Sequence, residues 1–291
     1  MRILCIVNRT AGGGRAGKAW DVIAPTMAGM KAEVAFTAGP GNATEIARRA
    51  CADGFTHLLA VGGDGTAHET VNGIDRPDVA VGVVPAGTGN DFARSAGLPF
   101  QPLAAVSGLD RDRRRAVDLG MCGDRHFLNV AGAGFDAEVA RLINEGPRKA
   151  RGALPYVATA ISLAFRYRSE SLRLDIDGEP VVQRCLLVAF GNAQAYGGGM
   201  RICPRAALDD GLLDVCIIGG MGAGHILRLL PTVFVGRHLR DAAVSYRQGR
   251  TIEVTGPSSV AVHADGEVVG GLPARFSVAP AACTLWLPSP A

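Results

Sequence analysis

His57-Leu58-Leu59-Ala60-Val61-Gly62-Gly63-Asp64-Gly65-Thr66-Ala67-His68-Glu69-Thr70-Val71-Asn72 passes from an apolar run into three glycines set around one aspartate, and then into a polar segment. The order reads as a buried strand, a tight turn and a helix start. Glycines there let the backbone come close to phosphate oxygens, the helix N-terminus offers unpaired N–H groups, and Asp64 can hold Mg²⁺ directly or through water. A plain strand-to-helix turn with an aspartate cap is the alternative. The next apolar run, 79–85, ends alike: Pro85-Ala86-Gly87-Thr88-Gly89-Asn90-Asp91-Phe92-Ala93-Arg94 supplies glycines, a hydroxyl and a second carboxylate. Two such turns on neighbouring parallel strands point to a nucleotide phosphate site more strongly than either alone.

Working outward, residues 2–8 and 33–37 also read as strands, with helices near 15–28, 42–54, 66–73 and 90–97. This alternation predicts an α/β domain with a parallel sheet over residues 1–117, whose ligand lies at the carboxyl ends of the strands. The basic run Arg111-Asp112-Arg113-Arg114-Arg115 reads as a solvated linker. Beyond it, closely spaced strands at 171–177, 181–191, 213–219, 251–255 and 275–279 predict a mainly antiparallel β domain over 118–280. Helices are expected near 134–146, 153–167 and 222–235, and the tail, about 281–291, is expected to return to the first domain.

Composition narrows the function. Thirty Lys and Arg against 27 Asp and Glu leave a formal charge of +3 in 291 residues, too mild a field to argue for nucleic acid. Seven cysteines without a C-x-x-C pair read as reduced, mostly buried thiols of a cytosolic protein. The longest apolar stretch, 152–165, is shorter than the roughly 18 to 20 residues that cross a bilayer. The opening Ile3-Leu4-Cys5-Ile6-Val7-Asn8 is a first strand and not a signal peptide. Six histidines show no spacing suited to zinc. Gly12-Gly13-Gly14-Arg15-Ala16-Gly17-Lys18 imitates two phosphate-binding patterns, yet Ala19 lacks the hydroxyl of one and no acid near Thr37 completes the other. A looser expectation survives, that this glycine-rich loop offers backbone N–H groups to a phosphate.

The blocks from Gly62 to Gly73 and from Pro85 to Arg94 resemble the lipid kinase superfamily with the diacylglycerol kinase catalytic domain. The resemblance continues through Phe127-Leu128-Asn129, Gly134-Phe135-Asp136, the run from Pro204 to Asp214, and Asp265-Gly266-Glu267, in family order over nearly the whole chain. It implies a two-domain kinase with ATP between an α/β domain of NAD kinase and diacylglycerol kinase type and a β-sandwich domain that takes a lipid substrate. Gly62, Gly63, Asp64, Gly65, Thr66, Ala67, His68, Thr88 and Thr37 then match nucleotide-contacting positions, joined by Gly87, Gly89, Asn90 and Asp91. The family's first loop usually reads Asn-Pro-x-Ser-Gly; Asn8 and Gly12 are kept here, while Arg9 and Ala11 replace the proline and serine.

A carboxylate on a glycine turn can accept the hydroxyl proton that phosphoryl transfer releases, although Asp-Gly is also a common hairpin turn. The resemblance gives the base role to Glu267, with Asp265 orienting it or the metal. It also implies a second, structural Mg²⁺ on Asp210 with the carbonyls of Ala207 and Leu212, in a loop rich in hard oxygen ligands. The apolar segments 152–165 and 223–235 carry basic flanks at Arg148, Lys149, Arg151, Arg166, Arg168, Arg237 and Arg240. They read as core helices, as an acyl pocket, or as surfaces that rest on an anionic leaflet. The expectation is an ATP- and Mg²⁺-dependent kinase of a lipid such as diacylglycerol, in the cytoplasm and peripheral at the inner membrane surface. A homodimer is compatible with it. A kinase of a soluble alcohol such as NAD, and a non-catalytic nucleotide or lipid sensor, are the alternatives.

Overall fold

The computed structural model describes residues 1–76, 78–146 and 153–289. In chain order its elements are β1 (Ile3–Val7), α1 (Arg15–Gly29), β2 (Glu33–Phe36), α2 (Asn42–Ala52), β3 (His57–Gly62), α3 (Asp64–Asn72), β4 (Ala80–Pro85), α4 (Asp91–Ser95) and α5 (Pro102–Val106). Then come β5 (Arg113–Cys122), β6 (Arg125–Phe127), β7 (Val130–Gly134), α6 (Phe135–Glu145), α7 (Ala153–Ala164), β8 (Glu170–Ile176), β9 (Glu179–Gly191), β10 (Leu213–Gly219) and α8 (Ala223–Val233). The last strands are β11 (Val244–Gly249), β12 (Thr251–Thr255), β13 (Ala261–Ala264), β14 (Glu267–Gly271) and β15 (Ala274–Leu287). Contacts divide the chain into Met1–Asp118 with Pro280–Ala291, and Leu119–Ala279.

In the first unit, parallel strands run in the order β2-β1-β3-β4-β15. Ile3, Cys5 and Val7 pack with Ile23 and Met27 of α1 and Val106 of α5, while Leu4 and Ile6 pack with Ala43, Ala47 and Cys51 of α2. Side chains alternate across a strand, so a sheet covered on both faces needs apolar residues at every position. The last strand sets Thr284 and Leu285 beside Ala80 and Val81, and the buried Trp286 indole donates to the Leu109 carbonyl at 2.9 Å.

The second unit is antiparallel and sandwich-like. Strand β9 pairs with β8 through its first half, then with β7 through its second, and β10 runs along its other edge with β11 outside. Strands β14, β13 and β7 are joined in that order, and β12 links β8 to β15. Val188, Phe190, Val215 and Ile217 point into one core, and their neighbours Leu187, Ala189, Cys216 and Ile218 point to the other face beneath α6, α7 and α8.

Three differences from the sequence reading have physical causes. The basic run is solvated but is the start of a strand and not a linker: Arg113 begins β5, and the exposed Arg114 guanidinium donates to both oxygens of Asp112 at 2.8 and 3.0 Å and to the Asp78 carbonyl at 3.2 Å. With Arg114 paired to Asp112, the segment runs as a strand beside buried His57, whose Nε2 lies 2.8 Å from Asp112 Oδ1. The helix expected near 90–97 is the five residues of α4. The last strand extends past 279 because it continues into the first unit. Arg148, Lys149, Arg151 and Gly152 lie outside the described residues. Among the described residues no helix is long and apolar enough to cross a membrane.

Candidate active site

The first unit builds its glycine turns by close backbone contact. A Cβ on Gly63 would stand 2.9 Å from the Gly87 Cα, and one on Gly87 would come closer still to the Gly63 Cα. Gly62 faces the Thr66 side chain with no room for a Cβ, and Gly12, at φ 61°, lies against the Ala86 carbonyl oxygen. The loops after β1, β3 and β4 therefore touch. Asn90, at φ 55°, closes the third: its Oδ1 accepts the Gly87 N–H at 2.8 Å and its Nδ2 donates to the Gly87 carbonyl at 3.2 Å.

Polar side chains tie the same loops. Asn8 Nδ2 donates to Thr66 Oγ1 at 3.2 Å. Gly63, not Asp64, caps α3 and makes no side-chain cap bond, whereas Asp64 Oδ1 accepts the Phe92 N–H at 3.0 Å. That bond joins the two neighbouring turns and replaces the aspartate-cap alternative. Gly65 and Thr88 are exposed, and Asp64, Gly63 and Gly89 are half-buried. Asp91 points inward, 3% exposed, with Arg94 Nη1 at 2.9 Å. Ala67 and His68 are buried on α3, and Thr37, past the end of β2, donates its N–H to the Val7 carbonyl at 3.0 Å. Arg15 was not singled out by the sequence reading: its Nε donates to the Gly12 carbonyl at 2.9 Å and its Nη2 to Thr88 Oγ1 at 3.5 Å. It places an exposed cation over the turns, and its position just after three glycines was the available signal.

In the second unit, Asp265 and Gly266, both at positive φ, form the two-residue turn between β13 and β14. The Asp265 carboxylate accepts the N–H groups of Leu128, Asn129 and Val130 at 2.7, 2.8 and 3.2 Å. Two sequence blocks, 127–129 and 265–267, are thereby one structure. Asn144 Nδ2 donates to the Gly266 carbonyl at 3.0 Å. Glu267 opens β14 with its carboxylate half-exposed and paired with Arg125. A register shift between Val262 and His263 adds a bulge beside the turn, a common device for aiming a side chain.

The loop from Ala207 to Leu212 forms a turn in which Asp210 Oδ1 accepts the Leu212 N–H at 3.1 Å. Gln248 Nε2 reaches Asp210 Oδ2 at 3.5 Å and Asp214 Oδ2 at 3.3 Å. Asp214 is fully buried, burial pushes its carboxyl above the usual range, and its Oδ1 has no hydrogen-bond partner among the described residues. An orphaned carboxylate oxygen beside a second aspartate is an oxygen donor set of the kind that fits a hard divalent cation. No cluster of three or more acidic, histidine or cysteine side chains is placed for a metal among the described residues, so main-chain oxygens would complete the shell.

Beneath α7 and α8 lies an apolar cavity of about 40 Å³, lined among others by Phe135, Tyr156, Leu187, Tyr196, Ile226 and Leu229. The opposite face of α7 is exposed and also apolar: Leu154, Ala158 and Ile161 recur at helical spacing and Phe165 follows just past the helix end, with Leu154 84% and Phe165 68% exposed. A concavity of about 400 Å³ on α8 and the following turn is lined by His225, Arg228, Arg237 and Arg240, with Asp241 paired to His225 at 2.7 Å.

Residues 2–122 match the family described as Diacylglycerol kinase catalytic domain, and residues 129–287 that described as YegS C-terminal NAD kinase beta sandwich-like domain. A diacylglycerol kinase of Mycobacterium tuberculosis is 35% identical over 257 residues, covering 85% of this chain and 82% of the relative. A Pseudomonas aeruginosa protein named "Probable lipid kinase YegS-like" is 33% identical over 270 residues, covering 92% of this chain and 88% of that protein. The crystal structure of a diacylglycerol kinase from Bacillus anthracis str. Sterne aligns over 98% of this chain and 96% of its own, with a TM-score of 0.75 at 22% identity, which speaks for the fold. Glycine turns, acidic hairpin and whole-length similarity agree, and the chain belongs to the lipid kinase family with the diacylglycerol kinase catalytic domain, a phosphotransferase with an alcohol acceptor.

Proposed function

We propose that this protein transfers the γ-phosphoryl group of ATP, with Mg²⁺, to the hydroxyl of a membrane lipid such as diacylglycerol. The observation that carries the reading is Glu267: a half-exposed carboxylate on a turn whose three residues are each anchored by hydrogen bonds or an ion pair. A base so held loses little freedom when it meets a hydroxyl, which is how positioning lowers a barrier.

The N–H groups around Gly62 to Thr66, with Gly12 and the turn from Gly87 to Asn90, cradle the phosphates, and Arg15 and Thr88 face their oxygens. Asp64 would hold the nucleotide's Mg²⁺, and Asp210 with Ala207 and Leu212 a structural one; the ion supplies neutralisation of phosphate charge. Glu267 accepts the acceptor hydroxyl's proton on its carboxylate. Asp265 keeps the turn in place through Leu128, Asn129 and Val130, a positioning role.

Support for a lipid acceptor comes from α7, whose inner face borders an apolar cavity and whose outer face exposes an apolar stripe that ends at Arg166 and Arg168. Such a surface suits the boundary between acyl chains and anionic headgroups. The test is labelled ATP with Mg²⁺ and a panel of micellar lipids beside NAD and soluble alcohols. Label in a lipid product is expected; label in NAD, or in no acceptor while ATP binds, would contradict the reading.

A further inference from the structure

A buried pair lies directly behind the acidic turn and belongs to none of the roles above. His263 on β13 is fully buried, and its Nε2 stands 3.1 Å from Oδ2 of Asp136, itself 1% exposed on the first turn of α6. The Gly266 N–H donates to His263 Nδ1 at 3.3 Å. From this hydrogen-bond pattern the ring is assigned the tautomer with its proton on Nε2, donated to the Asp136 carboxylate. Tyr196 stacks on the ring, with centroids 5.9 Å apart and planes 11° from parallel, and fixes its orientation. Gly132 of β7 makes room for the pair: a Cβ there would stand 2.9 Å from His263 Nε2 and would overlap Asp136 Oδ2.

We propose that His263, backed by Asp136, is a positioning residue of the kinase that sets the Gly266 N–H and thereby aims the Glu267 carboxylate. The proposal rests on the reading of Glu267 as the base. Asp265 is held from the 128–130 segment and the Gly266 carbonyl from Asn144. The Gly266 N–H is the remaining main-chain handle of the residue next to Glu267, and His263 is what takes it. The ring cannot shift without breaking its bond to Asp136 or its stacking on Tyr196, so the turn inherits the rigidity of a buried pair.

The two conservative substitutions separate the ring nitrogens. In His263→Gln the longer amide reaches Asp136 and leaves the Gly266 N–H without its acceptor; in His263→Asn the amide oxygen sits near the former Nδ1. The experiment measures kcat and KM for ATP and for a micellar diacylglycerol, with thermal midpoints, in both variants and in Glu267→Gln. His263→Gln is expected to lose about five- to tenfold in kcat with KM for ATP unchanged, the rate equivalent of one well-placed hydrogen bond. His263→Asn recovers most of that loss. If Glu267→Gln is impaired while His263→Gln turns over normally, or both His263 variants lose activity equally and in step with their thermal midpoints, the positioning role is overturned alone. Near-normal turnover by Glu267→Gln removes the base assignment and this proposal together.

Discussion

At Gly63 and Gly87 the first unit is shaped by the absence of side chains, whereas at Asp265 to Glu267 the second is shaped by side chains that hold the backbone. The first arrangement brings two Cα atoms together, so any Cβ displaces main chain on both sides. The second spreads its restraint over Asp265, Asn144, His263 and Arg125. Steric closure fails all at once, and a set of hydrogen bonds fails in steps of about 1 kcal/mol. On the proposed function, the former would suit a cradle for a triphosphate and the latter a turn that presents one carboxylate.

The sharpest way to break the contrast is Gly87→Ala, expected to destabilise the protein by about 3 kcal/mol or more through overpacking against Gly63. Gly65, an exposed helical glycine with open space around it, is the control: Gly65→Ala should raise or preserve the denaturation midpoint, by about 1 kcal/mol at most. Equal costs at both positions in urea titrations would erase the distinction.

Next in size is the cation. Mg²⁺ at about a hundred times its Kd should stabilise the apoprotein by about 2.7 kcal/mol, and Asp210→Asn should abolish that shift in thermal midpoint. An undiminished shift in the variant would take Asp210 out of the metal site.

Asp265→Asn comes third. An amide in place of a carboxylate turns one acceptor into a donor facing main-chain N–H groups, for a cost of about 2 kcal/mol in denaturant unfolding. Its activity should fall beyond what its stability explains.

The smallest effect joins the units. Burial depresses the pKa of His57 in the first and of His238 in the second. Both therefore favour the fold fully above the unfolded value near 6.5 and lose that contribution as pH falls through their folded values. A thermal midpoint that declines below pH 6.5, with a shallower slope in His57→Gln and His238→Gln, checks the sign.

What the sequence made legible follows the same divide. Strands β1, β3 and β4 are buried on both faces and lead into glycine-bearing loops, so their apolar runs stand out. Strand β7, Val130-Ala131-Gly132-Ala133-Gly134, is fully buried but built mostly of small residues, with no run of large apolar side chains to mark its bounds. Its glycine at 132 is there for the Asp136–His263 pair, whose members are 127 residues apart and leave no local pattern. The glycine turns could be read because steric needs are written in the glycines themselves. The pinning of Asp265 could not, since its partners are main-chain N–H groups, which every residue but proline carries.

Turnover of Glu267→Gln tests the central claim most directly. With ATP, Mg²⁺ and micellar diacylglycerol, kcat should fall by about 10²- to 10⁴-fold while ATP binding measured by calorimetry stays as in the unaltered protein. Turnover within a few fold of the unaltered protein would contradict the account.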